Sequence, residues 1–111
     1  MRDDSFKELV VEQLRDQRGL RCRRMFGGYG LYDGAAFFGI VAGDRLYFKT
    51  DAASVAPYEE RGMEPFRPNP RQTLKHYFEV PPDVIEDPHQ LATWAAEAVR
   101  CQGRQAGEAA R

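Results

Sequence analysis

Gly28 and Gly30, separated by Tyr29, have the spacing that comes closest to a known chemical motif, the glycine-rich turn that binds dinucleotide phosphates. That motif needs a third glycine three residues later and a helix after it, because the phosphates bind at the helix N-terminus. Here the third position holds Asp33, and the segment leads into a predicted hairpin. We therefore interpret these glycines, together with Gly27, as sites of a bulge, a bend or close backbone approach within a strand.

The histidines, serines and paired carboxylates do not form a catalytic or metal-binding pattern. His76 and His89 fall on different predicted elements, without a cysteine or carboxylate at the spacing of metal ligands. Ser5 and Ser54 lie at predicted helix starts, and neither belongs to the Gly-x-Ser-x-Gly turn of a nucleophilic serine. The carboxylate pair at 59–60 lies on a predicted solvated helix face. The sequence therefore predicts no enzyme activity, no metal site and no cofactor.

Length, composition and charge indicate one globular domain. The chain has 111 residues, of which 42% are hydrophobic, and 16 basic side chains balance 17 acidic ones. A chain of this size buries roughly 60 to 70% of its unfolded surface, which allows a core without disulfides, and Cys22 and Cys101 form no Cys-x-x-Cys motif. No apolar run approaches the ~20 residues of a membrane span. We predict a cytoplasmic domain at 1–103 without membrane contact, followed by a flexible tail at 104–111.

The stretch at 23–49 organises the predicted fold, since aromatic and β-branched residues alternate there with glycine-centred turn signals. Asp33-Gly34 lies between two apolar runs and is a strong hairpin signal, because the second turn position needs a positive φ that glycine reaches without strain. Ala42-Gly43-Asp44 repeats this signal before a strand at 45–49. We predict a three-stranded antiparallel meander.

Helices and two further strands flank the meander. Ser5 and Glu8 fit a capping box at the start of a helix that ends before Gly19. Asp87-Pro88-His89-Gln90 is the best-marked helix start, with an acidic cap followed by proline. The remaining predicted elements are a short helix at 54–61, strands at 66–69 and 72–80, and a last helix that Gly103 ends. The order αβββαββα indicates an α+β fold, a five-stranded antiparallel sheet with the helices packed on one face.

Three segments together are more specific than any one of them: Met-Phe-Gly-Gly-Tyr-Gly at 25–30, Gly-Met-Glu-Pro-Phe at 62–66 and Tyr-Phe-Glu-Val-Pro at 77–81. Over about residues 6–99 the chain resembles the N-terminal domain of the TfoX (Sxy) competence-regulator family. The resemblance implies the same element order and a non-enzymatic role in bacterial competence or transcription regulation. Full-length members add a C-terminal helical domain, and we expect a stand-alone N-terminal domain because little chain follows Arg100. The residues assigned to the structural motif are Met25, Phe26, Gly27, Gly28, Gly30, Gly34, Gly62, Pro65 and Phe66.

A two-layer domain with its helices on one side leaves the opposite sheet face to water, to a second copy or to another partner. The rings and cations predicted on that face are Tyr32, Arg45, Tyr47, Lys49 and Tyr77. Such side chains suit protein interfaces, although they also suit any exposed β-face. Our first hypothesis is a regulatory domain that contacts an unidentified protein. A homodimer anchored by Tyr47 and Tyr77 is a further expectation.

A second hypothesis is nucleic-acid binding through a basic cluster near the end of the first helix. The cluster consists of Arg18, Arg21, Arg23 and Arg24, and Arg45 and Lys49 would act together with it. Cations at these positions can contact phosphates, but cations near a helix C-terminus are also favoured for structural reasons. The net charge of −1 and the acidic second half of the chain make a nucleic acid the less favoured partner.

Overall fold

The computed structural model describes residues 4–25 and 27–109, with side chains as far as residue 103. The described helices are α1 (Ser5–Gln13), α2 (Ala56–Glu60), α3 (Pro82–Ile85) and α4 (Pro88–Ala109). The described strands are β1 (Leu20–Met25), β2 (Gly28–Asp33), β3 (Ala36–Ala42), β4 (Arg45–Lys49), β5 (Pro65–Asn69) and β6 (Gln72–Glu79). Phe26, which the sequence assigns to the structural motif, lies outside the described residues.

The strands form one antiparallel sheet in the order β1-β2-β3-β4-β6-β5. The α+β class is confirmed, but the sheet has six strands where the sequence predicts five, and α3 is an additional short helix. The extra strand arises at Gly27, whose φ of +74° reverses the chain so that Met25 pairs with Gly28. Glycine adopts such a φ without strain because it has no Cβ. The segment interpreted as one bent strand is therefore a hairpin.

Two further tight turns join β2 to β3 and β3 to β4. Asp33 pairs with Ala36, which leaves Gly34 and Ala35 in the first loop. Gly34 and Gly43 have φ angles of +60° and +62°, and each lies directly after a strand. Both predicted hairpins are confirmed, although Gly34 occupies the first loop position and not the second.

The helices lie on one face of the sheet, as predicted, and enclose the larger of two hydrophobic clusters. Leu31 and Phe48 of the sheet share this core with Leu91 of α4, and all three are fully buried. A second cluster lies on the opposite face, because Tyr47 alternates with Phe48 along β4. We call it the tyrosine cluster; it consists of Ile40, Tyr47, Phe66 and Tyr77, with Phe37, Ala42 and Leu74 packed against it.

α4 begins at the predicted cap. Asp87 Oδ1 accepts hydrogen bonds from the backbone N–H groups of His89 at 3.0 Å and Gln90 at 3.3 Å, and the Gln90 side-chain amide donates to Asp87 Oδ2 at 3.0 Å. These bonds, the Gln90 side chain first among them, lower the pKa of the Asp87 carboxyl. The helix continues past Gly103, the predicted end, to Ala109. One glycine in a helix interior costs only about 1 kcal/mol relative to alanine, so it need not end the helix.

α1 differs from its prediction at both ends. Asp4, not Ser5, is the N-cap residue, and it makes no side-chain capping hydrogen bond. Its carboxylate instead accepts a hydrogen bond from the Tyr29 hydroxyl at 3.0 Å, which attaches the start of the helix to β2. The helix ends at Gln13, well before the predicted Gly19.

Candidate interaction surface

β1 is an edge strand whose central side chains are all exposed. Within the described residues it pairs only with β2. Arg21, Cys22, Arg23 and Arg24 are all exposed. Since successive side chains point to opposite faces, Arg21 and Arg23 share one face and Arg24 lies on the other. We call this strand with its three arginines the arginine edge.

The outer backbone of β1 faces away from the sheet. The Gly34 N–H donates to the Gly19 C=O at 2.9 Å, so these two residues form a hydrogen-bonded pair one step beyond the first pair of the β1–β2 ladder, Leu20 with Asp33. Hydrogen-bonded and non-hydrogen-bonded pairs alternate along an antiparallel ladder, and the β1–β2 register has no shift. Counted from that pair, Arg23 directs its N–H and C=O groups toward β2. Cys22 and Arg24 direct theirs to the open side.

The ion pairs of the described side chains lie away from the arginine edge. They are Arg15 with Glu12, Arg45 with Glu79, Arg61 with Asp83 and Arg100 with Glu97. Arg23 instead lies 5.9 Å from the centroid of the Tyr32 ring, and Arg24 lies 5.5 Å from that of Tyr29. Contacts with a ring orient a guanidinium without neutralising its charge. The edge therefore presents positive charge that no described carboxylate neutralises at ion-pair distance.

Two more cations border this edge. Arg18, the fourth member of the predicted basic cluster, is exposed in the turn before β1 and is not on the strand itself. The ammonium of Lys7 in α1 lies 5.0 Å from the centroid of the Tyr29 ring. Cys22 is exposed, yet its neighbours partly desolvate the thiol and so raise the pKa of Cys22, while Lys7 acts in the opposite direction.

The tyrosines expected on an open sheet face lie inside the tyrosine cluster. Tyr47 and Tyr77 are only 9% and 8% exposed, and the Tyr47 ring lies 4.7 Å from that of Phe66. The Tyr77 hydroxyl donates a hydrogen bond of 3.4 Å to the Phe37 carbonyl. Desolvation raises the pKa of both tyrosine hydroxyls. The expectation that these side chains are exposed is wrong, because Phe66 of β5 and neighbouring rings cover them. The homodimer therefore stays a prediction, without the exposed rings that were expected to anchor it.

The other three residues predicted to contact a partner have local roles. Tyr32 is half-buried, and its ring stacks on that of Phe37 with centroids 5.1 Å apart. Arg45 is exposed and takes part in one of the ion pairs given above. The Lys49 ammonium lies 5.0 Å from the centroid of the Tyr77 ring, and desolvation lowers the pKa of Lys49. The structure therefore does not bring the predicted contact residues together as one open patch.

Sequence reasoning missed a cavity of about 240 Å³ between α2, α4 and the end of β4. Its walls include Lys49, Tyr58 and Trp94, and the two rings meet edge to face with centroids 4.8 Å apart. Trp94 lies on the buried stripe of α4 that helical spacing identifies, but its contact with Tyr58 depends on where α2 packs. This cavity is smaller than the roughly 300 to 1,000 Å³ of typical small-molecule sites, so its size does not indicate a ligand site.

The described residues provide a contact surface more clearly than a reaction centre. Within them, no cluster of histidine, cysteine and carboxylate side chains is arranged to hold a metal ion. None of the described helices combines the length and the apolar character that crossing a membrane requires. The carboxylate pair Glu59-Glu60 is exposed, as its interpretation as a solvated helix face implies.

Comparisons with known proteins identify relatives of this chain. The sequence model of the TfoX N-terminal domain matches residues 12–102, a range that includes the whole sheet. The DNA transformation protein TfoX1 of Aliivibrio fischeri (strain ATCC 700601 / ES114) is 34% identical over 79 residues. The aligned region is 69% of this chain and 38% of that relative, so the chain spans well under half of the relative's length.

Proposed function

This chain belongs to the TfoX N-terminal domain family, and on that premise we propose that it is a non-enzymatic regulatory domain acting in the cytoplasm through contacts with another protein. The name of the Aliivibrio fischeri relative connects that relative with DNA transformation. We propose that the process regulated here is likewise DNA uptake. Because the chain spans only 38% of that relative, the proposal concerns the contact made by this domain and not the relative's whole activity.

The arginine edge is the observation that supports a contact function. Its guanidinium groups are exposed on both faces of β1, and the ion pairs of the described side chains lie elsewhere. Open strand edges are normally covered or blocked, because their unpaired backbone groups can bind another chain. An exposed edge that combines available backbone groups with unneutralised charge is suited to a charged partner.

Nucleic-acid binding is a second candidate function, favoured by the same three arginines. Proteins that bind single strands also use exposed aromatic rings on which the bases stack. Tyr47 and Tyr77 are buried. The half-buried rings beside the arginine edge, Tyr29 and Tyr32, are already in contact with cations of this chain. The net charge of −1 also gives no long-range attraction for a polyanion. Contact with a protein is therefore the better-supported function.

Photo-crosslinking in the host cell tests the proposed function. A benzoylphenylalanine replaces Cys22 on the arginine edge, and the matched control places it at Lys75, an exposed residue of β6. We expect a discrete adduct with a protein from position 22 and none from position 75. A nuclease-sensitive adduct supports nucleic-acid binding instead, and equal labelling from both positions contradicts a specific contact on this edge.

A further inference from the structure

The chemistry of the arginine edge specifies the kind of partner that it fits. We propose that β1 binds an acidic, extended segment of a partner protein as a seventh strand of the sheet. The inference rests on the proposed function, since it specifies how the protein contact is made. In strand addition, main-chain hydrogen bonds to the open edge provide affinity, and side chains at alternate positions provide specificity.

The backbone of β1 has the regularity that strand addition requires. Its six residues pair with β2 without a register shift, and Cys22 and Arg24 direct their N–H and C=O groups outward. β1 contains no proline, so each of these residues keeps its N–H donor. A strand of about 5 to 6 residues is a typical length in globular proteins. The edge can therefore align a segment of that length.

The opposite edge of the sheet does not offer this template. Pro65 and Pro68 of β5 have no N–H group, and proline within a strand prevents pairing on the side that it faces. The β5–β6 register also shifts twice, which breaks the regular spacing of backbone groups. Of the two edges of the described sheet, β1 is the one that can accept a strand.

Charge selects an acidic segment over a second copy of this chain. Two copies paired through β1 would place their arginines beside one another, and like charges on neighbouring strands destabilise the pair. Charged side chains on an edge strand also protect a monomer against self-association. If the arginines serve only to prevent self-association, no strand should bind to β1. If they serve to bind a partner, an acidic strand should bind and pair its carboxylates with Arg21, Arg23 and Arg24. These two explanations differ in a measurable outcome.

The positions of the arginines define the pattern of the partner segment. In an antiparallel addition, the residues opposite Arg23 and Arg21 lie two positions apart on one face of the extended sheet. The residue opposite Arg24 precedes the one opposite Arg23 and points to the other face. The remaining position faces Cys22, whose thiol is partly desolvated, and suits a small apolar side chain. The expected pattern is Glu-Glu-Val-Glu or its aspartate equivalents.

Binding of a synthetic peptide tests the proposal directly. The probe is the fluorescein-labelled peptide Thr-Val-Glu-Glu-Val-Glu-Val-Thr, and fluorescence anisotropy measures its affinity for the full chain. We expect binding that slows amide exchange at Cys22 and Arg24. A peptide of the same charge, N-methylated at the residues that face Cys22 and Arg24, should bind roughly tenfold more weakly or worse, because it lacks those donors. Equal affinity for the two peptides overturns strand addition.

Substitutions on the protein separate the backbone contribution from the charge contribution. Cys22→Pro removes an outward N–H group without removing a β1–β2 hydrogen bond, and Cys22→Ser keeps that group. We expect Cys22→Pro to abolish peptide binding and Cys22→Ser to retain it, with circular dichroism confirming that both variants fold. Should Cys22→Pro not fold, the N-methylated peptide with the wild-type chain decides the same question.

A charge-matched pair of variants tests the selection for acid. The edge variant replaces Arg21, Arg23 and Arg24 with glutamine, and the control variant replaces the exposed Arg15, Arg67 and Arg71 with glutamine. We expect loss of peptide binding in the first variant only. Equal weakening in both shows a nonspecific attraction and overturns the proposal.

The remaining outcomes distinguish this inference from the proposed function. A specific protein adduct at position 22, together with no binding of the acidic peptide, overturns strand addition and leaves the protein contact in place. A mass that doubles with concentration in light scattering and returns to that of the monomer in Cys22→Pro shows that a second copy occupies the edge. Binding of a single-stranded oligonucleotide that Cys22→Pro does not weaken, while the acidic peptide fails to bind, contradicts both the inference and the protein contact.

Discussion

The two edge strands of the sheet, β1 and β5, differ in how far their unpaired backbone groups are open to another strand. Both leave backbone groups without a neighbouring strand, and such groups invite another chain to pair. In β5, prolines and an irregular register hinder such pairing. β5 also contributes Phe66, which is 5% exposed, to the tyrosine cluster. β1 is regular, contains no proline and has four exposed side chains, three of them arginines. We call β5 the closed edge, because it hinders strand pairing and contributes to a hydrophobic cluster. β1 is the accessible edge, and its side chains contribute little buried surface.

Truncating one side chain on each edge gives the largest expected contrast in stability. Phe66→Ala removes a buried ring that lies 4.7 Å from Tyr47, and removal of a buried phenylalanine costs about 3 to 5 kcal/mol. Arg21→Ala changes an exposed side chain, so its effect should stay within about 0.5 kcal/mol. Urea unfolding of both variants measures the difference. Similar losses in the free energy of unfolding would show that the side chains of β1 stabilise the fold as much as those of β5, and would remove the contrast between the edges.

Proline placed at neighbouring positions of β1 tests which backbone groups face outward. Arg23→Pro removes a donor to β2 and leaves a carbonyl of that strand without its partner, which should cost at least about 1 to 3 kcal/mol. Cys22→Pro removes a donor that points away from the sheet and should cost much less. Thermal unfolding compares the two. A larger loss for Cys22→Pro would mean that the alternation inferred from the Gly19–Gly34 hydrogen bond is reversed.

The accessible edge was partly predictable from sequence, because its signals are local. Arginines at alternate and adjacent positions are visible in the sequence, and the positive φ of glycine explains the turns at Gly34 and Gly43. Gly27 gives the same kind of signal, but the two glycines near it favoured a bent strand over a turn. The separate status of β1 as an edge strand was missed for that reason.

The closed edge was less predictable, because its structure depends on contacts distant in sequence. Alternation along β4 places Tyr47 on the face opposite the helices, which suggests exposure. Phe66 covers that ring from β5, and the Tyr77 hydroxyl reaches the Phe37 carbonyl, forty residues earlier in the chain. No local pattern indicates that this part of the sheet face forms a second small core. The sequence therefore placed the candidate site on the tyrosines of the sheet face, whereas the structure favours the arginines of its edge.

In the Cys22→Ser variant, which removes the raised thiol pKa of the arginine edge, alkaline pH should weaken the closed side of the sheet before that edge. Burial raises the pKa of Tyr77 well above its usual value of about 10, with Cys101 and Tyr32 contributing. The native state therefore keeps a proton on Tyr77 that the unfolded chain loses, so the contribution of Tyr77 to stability is constant below about pH 10 and falls as pH rises above it. Unfolding midpoints measured on both sides of that pH test this. Tyr77→Phe should reduce the loss, and part should remain because burial also raises the pKa of Tyr58. Amide exchange that accelerates first in β1 would contradict the expected order.

Matched substitutions of single arginines on the two edges should change stability least. Arg23 lies 5.9 Å from the centroid of the Tyr32 ring, and an exposed contact of this kind contributes about 0.5 to 1 kcal/mol at most. Arg67 on β5 is also exposed and donates a hydrogen bond of 3.1 Å to the Thr73 hydroxyl. We expect Arg23→Gln and Arg67→Gln to lower the free energy of unfolding by similarly small amounts, measured by urea titration. Small and equal effects would mean that the fold itself does not require the cations of the arginine edge. A loss clearly above 1 kcal/mol for Arg23→Gln alone would show that Arg23 stabilises the hairpin of β1 and β2 and would weaken its assignment to partner binding.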